Sequence, residues 1–138
     1  MPAPRAIRNN NPLNLRISDN PWLGKVYPNT DGAFEQFTSP VFGIRAAMIN
    51  IRTHCRRHHG LTMSELIKIW APASDGNRPR EYIARVKMSA NIMGTEKILY
   101  NDRGQMTRLT RAMAEVESGT RYDISIFEQA FDMLYPSV

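Results

Sequence analysis

Two carboxylates, Glu115 and Glu117, stand at the end of the segment Met106-Thr-Arg-Leu-Thr-Arg-Ala-Met-Ala-Glu-Val-Glu-Ser-Gly119. A carboxyl group held at the buried end of a helix can serve as a general acid, because desolvation raises its pKa toward the range where it gives up a proton near neutrality. The helical repeat turns each side chain by about 100° from the last, which gathers Met106, Leu109, Met113 and Val116 on one stripe. Glu117 falls on the edge of that stripe, one turn after Met113, whereas Glu115 points nearly the opposite way. Helical phase therefore nominates Glu117 as the desolvated acid and leaves Glu115 as a solvated surface charge. The competing reading makes Glu117 surface decoration as well, the usual state of a glutamate at a helix end.

The rest of the chain must supply the elements that position this acid. Arg5 to Pro21 carries Asn9, Asn10, Asn11, Asn14 and Asn20 with Pro12 and Pro21, a composition that favours side-chain-to-backbone hydrogen bonds over regular structure. Trp22 to Phe37 reads as a small hairpin about the turn signal Pro28-Asn-Thr-Asp-Gly32. Ser39-Pro40 opens a helix that stops at Gly60 and buries Ile44, Met48, Ile51 and Cys55. Thr62-Met-Ser-Glu65 is a capping box for a short helix ended by Pro72. Pro79 opens another, with Tyr82, Ile83 and Val86 inward, and a short helix is expected around Thr95 to Tyr100. Asp102 to Gln105 caps the Glu117 helix, and Ser125-Ile-Phe-Glu128 caps the last one. The expected architecture is a mainly helical α+β domain with five or six helices and one hairpin.

At 138 residues and 42% hydrophobic content the chain supports one domain with a real core. The single cysteine, Cys55, excludes an internal disulfide framework. No segment approaches the about 20 apolar residues of a membrane span, and the N-terminus has no apolar run of signal-peptide length. Synthesis in a reducing cytoplasm is the expectation, with a monomer as the expected state. A net charge of +5 favours polyanionic partners such as nucleic acid, anionic lipid or cell-wall polymer.

The block Arg8-Asn-Asn-Asn-Pro-Leu-Asn-Leu-Arg16, with Trp22-Leu-Gly24, Phe34 to Phe37, Gly43-Ile-Arg-Ala46, Trp70-Ala-Pro72 and Tyr82, resembles a family of small phage-encoded virion or lytic proteins with a lysozyme-like domain. Ala114-Glu-Val-Glu-Ser-Gly119 is similar to the catalytic-helix signature of lytic transglycosylases, in which a glutamate precedes Ser-Gly. That helix comes early in those enzymes and late here, so the resemblance implies a circularly permuted lysozyme-like fold. Leu13 stands where the family usually has glycine.

The resemblance implies cleavage of the MurNAc-β-1,4-GlcNAc bond of peptidoglycan, with Glu117 as general acid and base and with lytic transglycosylase chemistry favoured over hydrolysis; it also implies action in the periplasm or cell wall after release from a host cytoplasm, or as part of a phage particle. Hydrolysis would call for a partner carboxylate across the cleft, for which the hairpin offers Glu35 and Asp31. Asn11, Asn14, Trp22, Trp70 and Tyr82 are candidate sugar contacts, since glycan grooves use aromatic platforms and planar polar groups. Each has a structural alternative: asparagines beside proline tie loops together, and tryptophans at helix ends are commonly core.

Rivals from other classes rest on His54-Cys-Arg-Arg-His-His59. His54 and His58 sit one turn apart, as two metal ligands do, but the remaining ligands are missing and neither metal nor cofactor is expected. Arg52, Arg56 and Arg57 form a nucleic-acid patch without an accompanying recognition motif. A non-enzymatic virion or wall-binding protein is the third rival.

Overall fold

The computed structural model describes residues 3–136. Six α-helices build it: α1 (Arg5–Arg8), α2 (Pro40–Arg57), α3 (Met63–Trp70), α4 (Pro79–Ala90), α5 (Arg103–Ser118) and α6 (Ile124–Leu134), with a 3-10 turn at Ala73–Asp75. α5 lies at the centre and packs against α4 on one side and α6 on the other, while α2 closes over α6. Its stripe is buried at Met106, Leu109 and Met113, each at 0–1% exposure, and becomes half-buried at Val116 near the helix end. The buried face is wider than an apolar stripe, because Thr107, Thr110 and Ser118 are also buried. Their hydroxyls donate to the carbonyls of Arg103, Met106 and Ala114 one turn earlier, which satisfies them without breaking the helix.

Among the described residues there is no β-strand, and this overturns the α+β expectation. Residues 9–39 form an irregular loop region whose extended contacts are two isolated bridges, Arg16 with Phe34 and Lys25 with Phe37. The reason lies in the turn expected to make a hairpin. Asn29 Oδ1 accepts from the backbone N–H groups of Asp31 and Gly32, and Asp31 Oδ2 accepts from those of Ala33 and Phe34. Side chains thus take donors that a strand ladder would need. Without a hairpin wall, the permuted lysozyme-like architecture does not stand.

Smaller departures have similar causes. No helix forms over Thr95 to Tyr100, where Lys97 instead bridges to Thr62 and buries Ile98 beside Leu61. The cap of α6 is Asp123, which accepts from Ser125 N–H, in place of Ser125 itself. Ser39 makes no side-chain cap, although Pro40 opens α2. The capping box at Thr62 and Glu65 and the Asp102 cap of α5 form as the sequence predicts.

Helix α2 grips the asparagine-rich loop through Gly43. A Cβ there would meet Asn10 O at 2.5 Å, Asn11 Cα at 3.1 Å and Pro12 Cδ at 3.2 Å. Two of these atoms are backbone, so the loop must move as a unit to admit a methyl. Gly43→Ala is expected to destabilise the fold by about 1–3 kcal/mol, read as a lowered denaturation midpoint at unchanged slope. An unaltered midpoint would show that the loop docks loosely.

No described helix is long and apolar enough to cross a membrane.

Candidate functional site

Glu117 occupies the last turn of α5, which Gly119 ends with a left-handed φ of 75° while donating its N–H to Glu115 O. The carboxylate sits on the floor of a cleft of about 490 Å³. Tyr82, from α4, donates its hydroxyl to Glu117 Oε2 at 3.0 Å, and Asn14 Nδ2 donates to Oε1 at 3.0 Å. Asn14 reaches this position from a left-handed backbone, φ 53°, a conformation that asparagine tolerates better than most side chains. Glu115, by contrast, pairs with Arg121 at 2.9 Å on the surface.

Burial pushes the Glu117 carboxyl above its ordinary value, an effect partly offset by the hydrogen bonds from Asn14 and Tyr82. The Tyr82 hydroxyl is driven well above its usual range, first by burial and then by the Glu117 charge and hydrogen bond. It stays protonated, and it lies 3.4 Å from Met113 O as well as 3.0 Å from Glu117. When Glu117 is ionised, Tyr82 donates to it. When Glu117 holds a proton on Oε2, Tyr82 can accept that proton's hydrogen bond and turn its own toward Met113 O. Both states of the acid are therefore accommodated without moving a heavy atom.

Three chain segments wall the cleft. Asn14, Leu15 and Arg16 form one side with Phe34; Asn50 and His54 of α2 form a second; Ile69 to Pro72, Asp75 and Asn77 form the third. Trp70 belongs to this wall, anchored by its indole N–H to Leu13 O at 3.2 Å. Leu13, where the resemblance calls for glycine, is fully buried in the core.

The remaining predicted contacts are placed elsewhere. Asn11 is fully buried and ties the loop together, its amide donating to Leu15 O and Glu35 O and accepting from Leu15 N–H. Trp22 packs against the core and does not line the cleft. Both hairpin carboxylates are engaged in structural bonds outside it. Glu35 is fully buried against Lys25 Nζ at 3.1 Å and accepts from the Ser18 N–H and hydroxyl. Asp31 caps its own turn and pairs with Arg5 at 3.0 Å, and the Asn9 amide bond, with those of the turn and the Arg5 charge, holds its carboxyl below the ordinary range despite the opposing effect of burial. The carboxylate that does share the cleft with Glu117 is Asp75.

Sequence reasoning missed Asp75, Asn77, Asn50, His54, Arg16 and Phe34 as cleft residues. Asn50 and His54 carried a weak signal, being polar and one turn apart on α2. His54 lies edge-on to Trp70 and near His58, with ring centroids 6.5 Å away in each case. Burial, reinforced by the Arg57 charge, lowers its pKa and favours the neutral ring. Among the described residues no group of three or more His, Cys, Asp or Glu side chains is placed to hold a metal ion.

No protein-family model matches the chain. Over 121 residues, covering 86% of this chain and 73% of the other, it is 32% identical to Protein P5 of Pseudoalteromonas phage PM2. Identity at that level across most of both sequences makes the two homologous, and the chain belongs to the family of Protein P5.

Proposed function

We propose that the protein cleaves the MurNAc-β-1,4-GlcNAc bond of peptidoglycan, with Glu117 as its general acid. The observation that carries this reading is a half-buried carboxyl, with its pKa raised, held by Tyr82 and Asn14 in a cleft walled by Trp70 and several amides. The site carries the assignment, since a fold does not by itself assign chemistry. Glu117 delivers its proton to the leaving O4 as the C1–O4 bond breaks and positive charge builds on the MurNAc ring. In the transglycosylase route the Glu117 carboxylate then takes the proton of the C6 hydroxyl as O6 bonds to C1, closing a 1,6-anhydro ring. No second carboxylate is required. We favour this route because it needs Glu117 alone: Glu35 and Asp31 are both committed to structural bonds, and hydrolysis would have to recruit Asp75, the other carboxylate lining the cleft.

Digestion of purified sacculi, with product ends identified by mass spectrometry, tests the proposal. Anhydro ends are expected; reducing ends would convert the reading to hydrolysis with Asp75 as the partner; no released products would refute it.

Tyr82→Phe removes the hydroxyl while keeping the ring. Because that hydrogen bond lowers the pKa of Glu117, its loss should raise it further. The descending limb of the pH profile should move to higher pH, with kcat reduced about tenfold. An unmoved limb would mean that Tyr82 does not couple to the acid.

A specific observation favours a second reading. The relative comes from a bacteriophage, which supports a phage-associated role whether or not this chain catalyses anything. A structural or wall-binding component of a phage particle would use the same cleft to hold glycan without cutting it. Retention of the protein on sacculi without product release would select this reading. The nucleic-acid alternative has less support, because no recognition motif accompanies Arg52, Arg56 and Arg57. A gel shift with random DNA at physiological salt checks it.

A further inference from the structure

Arg16 stands on the cleft wall with its side chain exposed and its guanidinium 5.1 Å from the centroid of the Phe34 ring. Its backbone is fixed by the bridge to Phe34, and the next residue, Ile17, donates to Ala33 O. Arg5 approaches the same ring at the same distance and spends its charge on Asp31. Arg16 has no acidic partner and makes no side-chain hydrogen bond among the described residues. Asp75 lines the same cleft yet does not pair with it. Nor does Arg16 serve the acid, whose proton affinity is set by burial, Asn14 and Tyr82. A guanidinium held over an aromatic face at the wall of a cleft, with its planar donors unspent, matches a carboxylate bidentately.

We infer that Arg16 is a specificity residue that receives a carboxylate carried by the glycan. This rests on the reading of the cleft as a glycan site and adds to it that the strand must be acidic. Two parts of peptidoglycan offer that group: the lactyl ether of MurNAc once its peptide is removed, and the stem peptide itself.

Binding separates these sources when measured by calorimetry in a Glu117→Gln background, which blocks turnover. The ligands are peptide-free glycan strands, peptide-bearing muropeptide oligomers and neutral GlcNAc oligomers. Arg16→Met keeps an unbranched stem and removes the charge; Arg16→Lys keeps a point charge and loses the fork. Arg16→Met should weaken binding of one acidic ligand about tenfold, with Arg16→Lys intermediate and the neutral oligomers unchanged. Loss confined to peptide-free strands identifies the lactyl carboxylate, and loss confined to muropeptides identifies the stem. Equal losses on neutral and acidic ligands, no loss on any, or no binding by the Arg16-bearing protein would overturn the inference. Product release from sacculi by the protein with Glu117 in place is scored separately, so the cleavage reading can survive that failure.

Discussion

Glu117→Gln is expected to lower glycan cleavage by about 10²–10⁴-fold, the range over which a positioned general acid contributes, while leaving the fold intact and more stable near neutrality. The two effects have one cause. Burial raises the carboxyl pKa, so the charged form costs the folded state more than it costs the unfolded chain. A group whose folded pKa is raised contributes stability that is fully present below its unfolded value, with 4.5 as the reference for glutamate, and lost as pH rises through the folded one. Glutamine never ionises and escapes that loss. Thermal unfolding of the two proteins should therefore give melting temperatures that diverge as pH increases above the carboxylate range, with the variant higher. A site that trades stability for function behaves in this way. Wild-type cleavage should also decline as pH rises through the Glu117 pKa, since the acid must hold its proton to deliver it. Undiminished cleavage in the variant would remove Glu117 from the mechanism. Parallel melting curves across pH would show that the carboxyl is hydrated.

How far the site could be read from sequence follows from which interactions are local. The contrast between Glu115 and Glu117 is a property of helical phase and shows in their partners: both are half-buried, but Glu115 pairs with the exposed Arg121, whereas Glu117 is held between Tyr82 and Asn14. Asn14 was identifiable as a loop amide, whereas its aim at a helix 103 positions away was not. The turn signal at Pro28 to Gly32 is real but makes no hairpin, because the side chains of Asn29 and Asp31 occupy the backbone donors that a ladder would use. In sequence Glu35 is simply an acidic residue near the turn, and its neighbours Ser18 and Lys25 are brought to it by the path of the loop. Asp75 and His54 come from segments with no sequence mark of a common cleft, and only the packing of α2, α3 and the asparagine loop unites them.

The Glu35–Lys25 pair is where the largest loss of stability is expected. The two side chains are 0% and 6% exposed, and Lys25 Nζ also donates to Ser18 O at 2.8 Å and Asn20 O at 3.0 Å. Glu35 continues into the site's supporting loop, because its N–H donates to Leu15 O and its carbonyl accepts from Asn11. Glu35→Ala leaves a buried ammonium uncompensated and the Ser18 N–H without its acceptor. Removing one partner of such a pair costs about 3–5 kcal/mol, equivalent to a fall in melting temperature of roughly 10–20 °C for a chain of this size. The double variant Lys25→Met/Glu35→Leu should recover much of that loss. It abolishes both charges together, and Glu35 Oε1 has no hydrogen-bond partner to lose. Recovery should stop short of complete, since Ser18 N–H remains unpaired. Cleavage by the double variant, measured below its melting temperature, then separates support from chemistry. If Glu35 only holds the loop that carries Asn14 and Arg16, the refolded double variant regains activity as it regains stability. A double variant that is stable and inert would return Glu35 to the list of catalytic groups.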